Sequence, residues 1–154
     1  MKIRFSDNGK YCENKLYSTR IGDVFLVNYF NKDRVCMRVD PGGRLLTTVN
    51  LESGELVVWG DTSIDVKVYN MVFNNLSAPL EYVDYHKLKG GDVFSARRAT
   101  GVSEYDNNFL MVLSCHDNSR RDDVVLDLGS GKLIIPINKV QVTLHNVEGL
   151  LSVR

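Results

Sequence analysis

Apolar and polar residues change places along this chain in runs too short for helices. From Asp23 to Tyr29 most positions are β-branched or aromatic, and residues 35–39 form an apolar run carrying Met37. Both patterns predict strands, because such side chains pack well on a pleated surface. Asn31-Lys32-Asp33 is the expected turn between them, and Pro41-Gly42-Gly43 breaks the chain after the second. Residues 45–51 and 55–59 read as a hairpin across Ser53-Gly54, and residues 64–68 return as an alternating strand. At the start, residues 2–5 and 10–17 flank Ser6-Asp7-Asn8-Gly9. Asn-Gly is the strongest short hairpin signal, since both residues tolerate positive φ, so an N-terminal hairpin is expected. Residues 82–86 are a candidate short strand beyond a connector at 74–79. No window sustains helical periodicity over three turns. The expectation is an all-β fold.

The pattern occurs twice. Gly22-Asp23-Val24-Phe25 returns as Gly91-Asp92-Val93-Phe94, and each copy leads to a Met-bearing apolar strand (Met37, then Met111). A strand–turn–strand follows, Asn50-Leu51-Glu52-Ser53-Gly54-Glu55-Leu56 in the first copy and Asp127-Leu128-Gly129-Ser130-Gly131-Lys132-Leu133 in the second. Val66-Lys67-Val68 and Val140-Gln141-Val142 close the copies. About five short strands per copy suit two tandem small β-barrel repeats of the SH3-like or OB-like kind. Units of this size are marginal alone, which favours a shared core. The division expected is a first β repeat with the N-terminal hairpin over residues 1–75 and a second with enlarged loops over 76–154.

The enlargement is specific. From Phe25 to Met37 is twelve residues, but from Phe94 to Met111 is seventeen; from Met37 to Gly54 is seventeen, against twenty from Met111 to Gly131. One longer loop carries Arg97, Arg98 and Tyr105, the other Arg120 and Arg121. Binding residues concentrate on loops held by a rigid scaffold. Guanidinium forks match phosphate oxygens, and aromatic faces stack on bases. Arg97, Arg98, Tyr105, Arg120, Arg121 and Trp59 are therefore the candidate ligand-binding residues. The competing reading is an ordinary surface, with Arg121 answered by Asp122-Asp123 and Trp59 plugging a barrel mouth.

The succession G-D-x-F, a Met-bearing strand, [N/D]-L-x-S-G-x-L and V-x-V resembles that of small uncharacterised β-barrel proteins of tailed bacteriophages. These read G-D-x-F, a strand, N-A-V-N-L-x-T-G-x-L, then V-x-V. The resemblance covers roughly residues 21–69 and 90–144, with Ser53 and Ser130 where Thr is common and with two copies in one chain. It implies a small β-barrel and a viral accessory role, and it supplies no catalytic residue.

Composition narrows the classes. With 44% hydrophobic and 25% charged residues the chain is in the ordinary folded range. Nineteen basic residues balance nineteen acidic ones, so affinity for long nucleic acid, which comes from neutralised phosphates, is disfavoured. Three scattered cysteines, Cys12, Cys36 and Cys115, suit a reducing compartment rather than a disulfide framework. A cytoplasmic location is expected, in a host cell if the protein is viral, with no membrane partner. Cys115-His116-Asp117 is not a convincing nucleophile–base pair, because neighbours on a strand point to opposite faces. His86, His116 and His145 have no metal-ligand spacing, and neither glycine pair opens a phosphate loop. Asp23 and Asp92 are expected to bond backbone amides within their turns.

The expected function is that of a non-enzymatic phage accessory protein, without cofactor or metal, that sequesters a small anionic, nucleotide-like ligand such as a host defence signal. The alternatives are an interaction module that inhibits or adapts a host or virion protein, or single-strand nucleic-acid binding on Tyr29, Phe30 and Tyr105. A homo-oligomer fits any of the three.

Overall fold

The computed structural model describes residues 1–5, 12–41, 43, 45–76, 81–95, 109–117, 119–135 and 141–152. These residues form strands and two 3-10 turns, at Leu16–Ser18 and Tyr85–Lys87, with no α-helix among them. The first sheet contains β1 (Lys2–Phe5), β2 (Cys12–Lys15), β3 (Val24–Tyr29), β4 (Lys32–Val39), β5 (Thr47–Asn50), β6 (Leu56–Val58) and β7 (Asp65–Asn75). The second contains β8 (Glu81–Asp84), β9 (Val93–Ser95), β10 (Leu110–Ser114), β11 (Arg120–Asp127), β12 (Leu133–Ile134) and β13 (Gln141–His145). The final strand, β14 (Val147–Ser152), crosses over to join the first sheet.

Corresponding strands follow one order in both halves: β2-β7-β3-β4-β5-β6 and β8-β13-β9-β10-β11-β12. The protein is all-β as expected. The strands do not close into barrels, however; they remain two open sheets. A closed barrel buries its interior within itself, whereas each half here gives much of its apolar surface to the other. Val24, Val35, Met37, Val39, Val49, Leu51 and Tyr69 pack in one cluster with Val93, Met111, Leu113, Leu126, Leu128, Val147 and Leu151. A smaller core lies on the far side of each sheet, around Phe25 and Trp59 in one half and around Tyr85 and Phe94 in the other.

The repeated turn phrases lock the halves together. Asn50 Oδ1 accepts from the Glu52 amide at 2.9 Å, and Asp127 Oδ1 from the Gly129 amide at 3.0 Å, so each side chain caps its own turn. The Ser53 and Ser130 hydroxyls accept from the Glu55 and Lys132 amides, both at 3.2 Å. The turn glycines then reach across. A Cβ on Gly54 would lie 2.4 Å from the Val112 carbonyl and 2.6 Å from the Gly91 nitrogen; one on Gly131 would lie 2.7 Å from the Gly22 nitrogen. Both have left-handed backbones, φ 76° and 75°, so space and conformation both demand glycine. The Gly54 carbonyl accepts from the Ser114 amide and the Gly131 carbonyl from the Asp40 amide, at 2.9 and 3.2 Å. Each half thus inserts a turn into the other.

Among the described residues, the first two strands do not pair with each other as the expected N-terminal hairpin requires. β1 pairs in parallel with β14, Lys2 opposite Glu148 through Phe5 opposite Leu151, while β2 pairs with β7. The Asn8-Gly9 signal lies outside the described residues. β1 is held instead by burial of Ile3 against the shared core, made possible by Gly149, on which a Cβ would come within 2.9 Å of Ile3 Cδ1.

Candidate functional site

Arg120 is a structural residue. Its Nη1 donates to the carbonyls of Tyr85 and of Leu88, the latter at 2.8 Å. Its Nε lies 2.7 Å from Asp122 Oδ1, and its guanidinium sits 4.2 Å from the centre of the buried Tyr85 ring. The side chain thereby binds the carbonyls of the second 3-10 turn. Arg38 treats the first in the same way, donating from Nη1 to the Thr19 carbonyl. Arg121 forks onto Asp123, Nη2 to Oδ2 at 3.1 Å, and that pair holds the Asp123 carboxyl below its usual range. Trp59 is 8% exposed and donates from Nε1 to Thr48 Oγ1 at 2.8 Å. It is a core residue of the first half, packed with Phe25 and Val68 rather than set in the mouth of a closed barrel.

Arg97, Arg98 and Tyr105 lie outside the described residues. The roots of their loop are nonetheless fixed, since Ser95 ends β9 and Phe109 precedes β10. The other enlarged loop leaves β10 after Ser114 and enters β11 at Arg120. Because β10 is antiparallel to both neighbours, the two loops are rooted at opposite ends of it, roughly 15 Å apart for a five-residue strand. The described part of the fold therefore does not bring the roots of the two arginine-bearing loops together at one end of the sheet.

The remaining candidates also find local explanations. Asp117 Oδ1 accepts from the amide and hydroxyl of Ser119, at 3.0 and 2.5 Å, and the hydroxyl bond first and the amide bond second lower its carboxyl pKa. His116 Nδ1 sits 3.0 Å from Glu55 Oε1 in the other half. Asp23 and Asp92 each accept within their own turns through Oδ2, from the Arg20 and Lys89 amides at 2.8 Å. His145 Nε2 shares a 2.6 Å hydrogen bond with Ser95 Oγ, and burial lowers its pKa. Among the described residues, no three His, Cys, Asp or Glu side chains converge as a metal site, and no helix is long and apolar enough to cross a membrane.

What stands out is the β3–β4 hairpin. Its turn is Phe30-Asn31, one residue earlier than the polar run Asn31-Lys32-Asp33 suggests, with Tyr29 opposite Lys32. Phe30 and Asn31 both have left-handed backbones, φ 52° and 57°. Asn tolerates that region; for a bulky aromatic it is a true outlier, costing roughly 1–2 kcal/mol. Phe30 is also 78% exposed, so no core packing offsets the cost. Its ring lies 4.3 Å from Tyr29, and Tyr29 leans on Trp59 at 5.0 Å. Arg34 sits 5.8 Å from the Tyr29 ring centre and 4.0 Å from Glu55, which meets His116. A continuous ridge therefore runs from Phe30 through Tyr29, Arg34 and Glu55 to His116 of the second half. Tyr29 and Phe30 were legible in the sequence only as aromatic candidates for stacking on a single strand. The ridge was not, although a bulky residue just ahead of Asn at a hairpin tip was a signal for it.

Compared with protein-family models, curated proteins and solved structures, the chain matches none of them.

Proposed function

We propose that the protein is a binding module without a reaction of its own, and that its ligand is the surface of another protein, which it blocks or adapts. The observation that carries this reading is Phe30, an exposed aromatic held in a strained left-handed turn and backed by Tyr29 and the core residue Trp59. Strain that packing does not require concentrates at functional positions, and a rigid aromatic anchor beside an arginine is the composition of a protein-binding hot spot. The resemblance of the repeat to phage proteins supports a viral accessory role, with a host or virion protein as the partner. The anionic-ligand reading has less support: Nη1 of Arg120 is taken by two carbonyls, its Nε faces Asp122, and Arg121 is taken by Asp123.

Two measurements decide between them. Affinity capture from bacterial lysate should yield a stoichiometric partner with the native protein and none with Phe30→Asn, a change that suits the turn and leaves the fold intact. Calorimetry against linear and cyclic nucleotides should be silent. Saturable nucleotide binding that survives Phe30→Asn, or capture indifferent to that change, would reject the protein-surface reading.

A further inference from the structure

β7 and β14 pair symmetrically about Phe73 opposite Gly149, with Met71 opposite Leu151 and Asn75 opposite Val147. The end of β7 and β14 are thus equivalent strands of the two halves. β14 is paired along both sides, by β7 on one and by the parallel β1 on the other. β1 begins where β9 leaves off: β9 follows β13 as far as Val93 opposite His145, and the nitrogen of Met1 donates to the Gly91 carbonyl at 3.4 Å. In the first half β3 follows β7 in the same way, as far as Val24 opposite Tyr69. Beyond that point residues 72–75 pair, among the described residues, with β14 alone.

A groove of about 320 Å³ opens at this place, lined by Gly22, Asp23, Tyr69, Asn70, Met71 and Phe73 among others. It corresponds to the cavity of about 340 Å³ formed by Gly91, Asp92, Val93, His145, Asn146 and Val147. There, Met1 and Lys2 form part of the wall, and Met1 packs against the shared core. In the second half, then, an extended strand led by a long unbranched apolar side chain runs along the edge beside such a cavity and forms part of its wall.

We propose that the edge of β7 and its groove bind an extended segment of a partner protein, parallel to residues 72–75 and prolonging the β3–β7 ladder. Strand addition of this kind takes its affinity from main-chain hydrogen bonds and its specificity from alternate side chains. The side chains here define the segment. Phe73 stands where β14 has Gly149, so the residue facing it is small where β1 has Ile3. Val72, 56% exposed, stands where Glu148 pairs with Arg4, so the flanking residues are uncharged where β1 has Lys2 and Arg4. The ligand class is a neutral extended peptide of the pattern Met–neutral–small–neutral–apolar. This surface is separate from the hairpin tip, and Phe30→Asn leaves it untouched.

The test titrates the synthetic peptide Met-Thr-Ala-Thr-Phe into isotopically labelled full-length protein, with the β1 sequence Met-Lys-Ile-Arg-Phe as comparison. Amide shifts are expected at Gly22 and residues 70–75, with affinity at least about tenfold tighter than for the comparison peptide. Val72→Lys, a change at a half-exposed position that puts a cation on the strand edge, should abolish those shifts while the remaining spectrum stays in place. Absence of shifts at millimolar peptide would overturn the proposal. So would shifts confined to Gly91 and residues 148–151, shifts that persist in Val72→Lys, or self-association of the protein alone that covers residues 72–75.

Discussion

Cys36 shows how one buried side chain sets a chemical property. It is 2% exposed on β4, and burial, only partly opposed by its bond to Thr48, pushes the thiol pKa up to about 12 from 9.0. The folded state thus holds this proton more tightly than the unfolded chain does. Its contribution to stability is complete below pH 9 and is lost as pH rises toward 12, at about 1.4 kcal/mol per pH unit. Cys36→Ala should flatten the alkaline limb of stability against pH in urea titrations followed by Trp59, the single tryptophan. Iodoacetamide at neutral pH should modify exposed Cys12 in the native protein and reach Cys36 only on unfolding. The buried character of Cys36 was legible in the sequence, since it lies inside an apolar run. The fate of Arg120 was not, because nothing local to Arg120-Arg121 reveals that the carbonyls of a 3-10 turn more than thirty residues earlier lie within its reach.

At the scale of elements, the two neighbouring arginines differ in what they hold. Arg120 satisfies carbonyls that close the second 3-10 turn, whereas Arg121 makes a surface fork with Asp123. Arg120→Ala should cost about 2–3 kcal/mol in chemical denaturation, as expected when a charge-assisted bond to a partly buried carbonyl is removed. Arg121→Ala should cost less than about 1 kcal/mol. Equal losses would mean that Arg120 does not anchor the turn. Strand positions such as 23–29 and 35–39 were readable because β-branched and aromatic residues announce themselves within a few positions. The N-terminal hairpin was misread for the same reason: Asn8-Gly9 speaks only for its neighbours, while the pairing of Ile3 with Gly149 spans most of the chain. The β3–β4 turn was placed one residue late because polarity marks a loop but does not say which residues take positive φ, and here Phe30 does.

The whole molecule rests on the mutual insertion of the glycine turns and the core they enclose. Gly54→Ala places a methyl group 2.4 Å from a backbone carbonyl in a left-handed conformation, and Gly131→Ala meets the Gly22 nitrogen at 2.7 Å. Each should lose about 2–4 kcal/mol, combining backbone strain with overpacking, and each should loosen both halves together in amide exchange. Exchange quickening only in the mutated half would show that the halves are held independently. The duplication behind this arrangement was visible as repeated phrases, but its reciprocity was not, because a repeat states what recurs and not where each copy docks.

That reciprocity has a consequence for biosynthesis. While the ribosome has yet to release Gly91, the turn at Gly54 has no backbone to settle against, and the apolar face carrying Met37 and Leu51 has no counterpart. A nascent first half is therefore obliged to wait, with its inner surface available to chaperones, until the second half emerges and both settle at once.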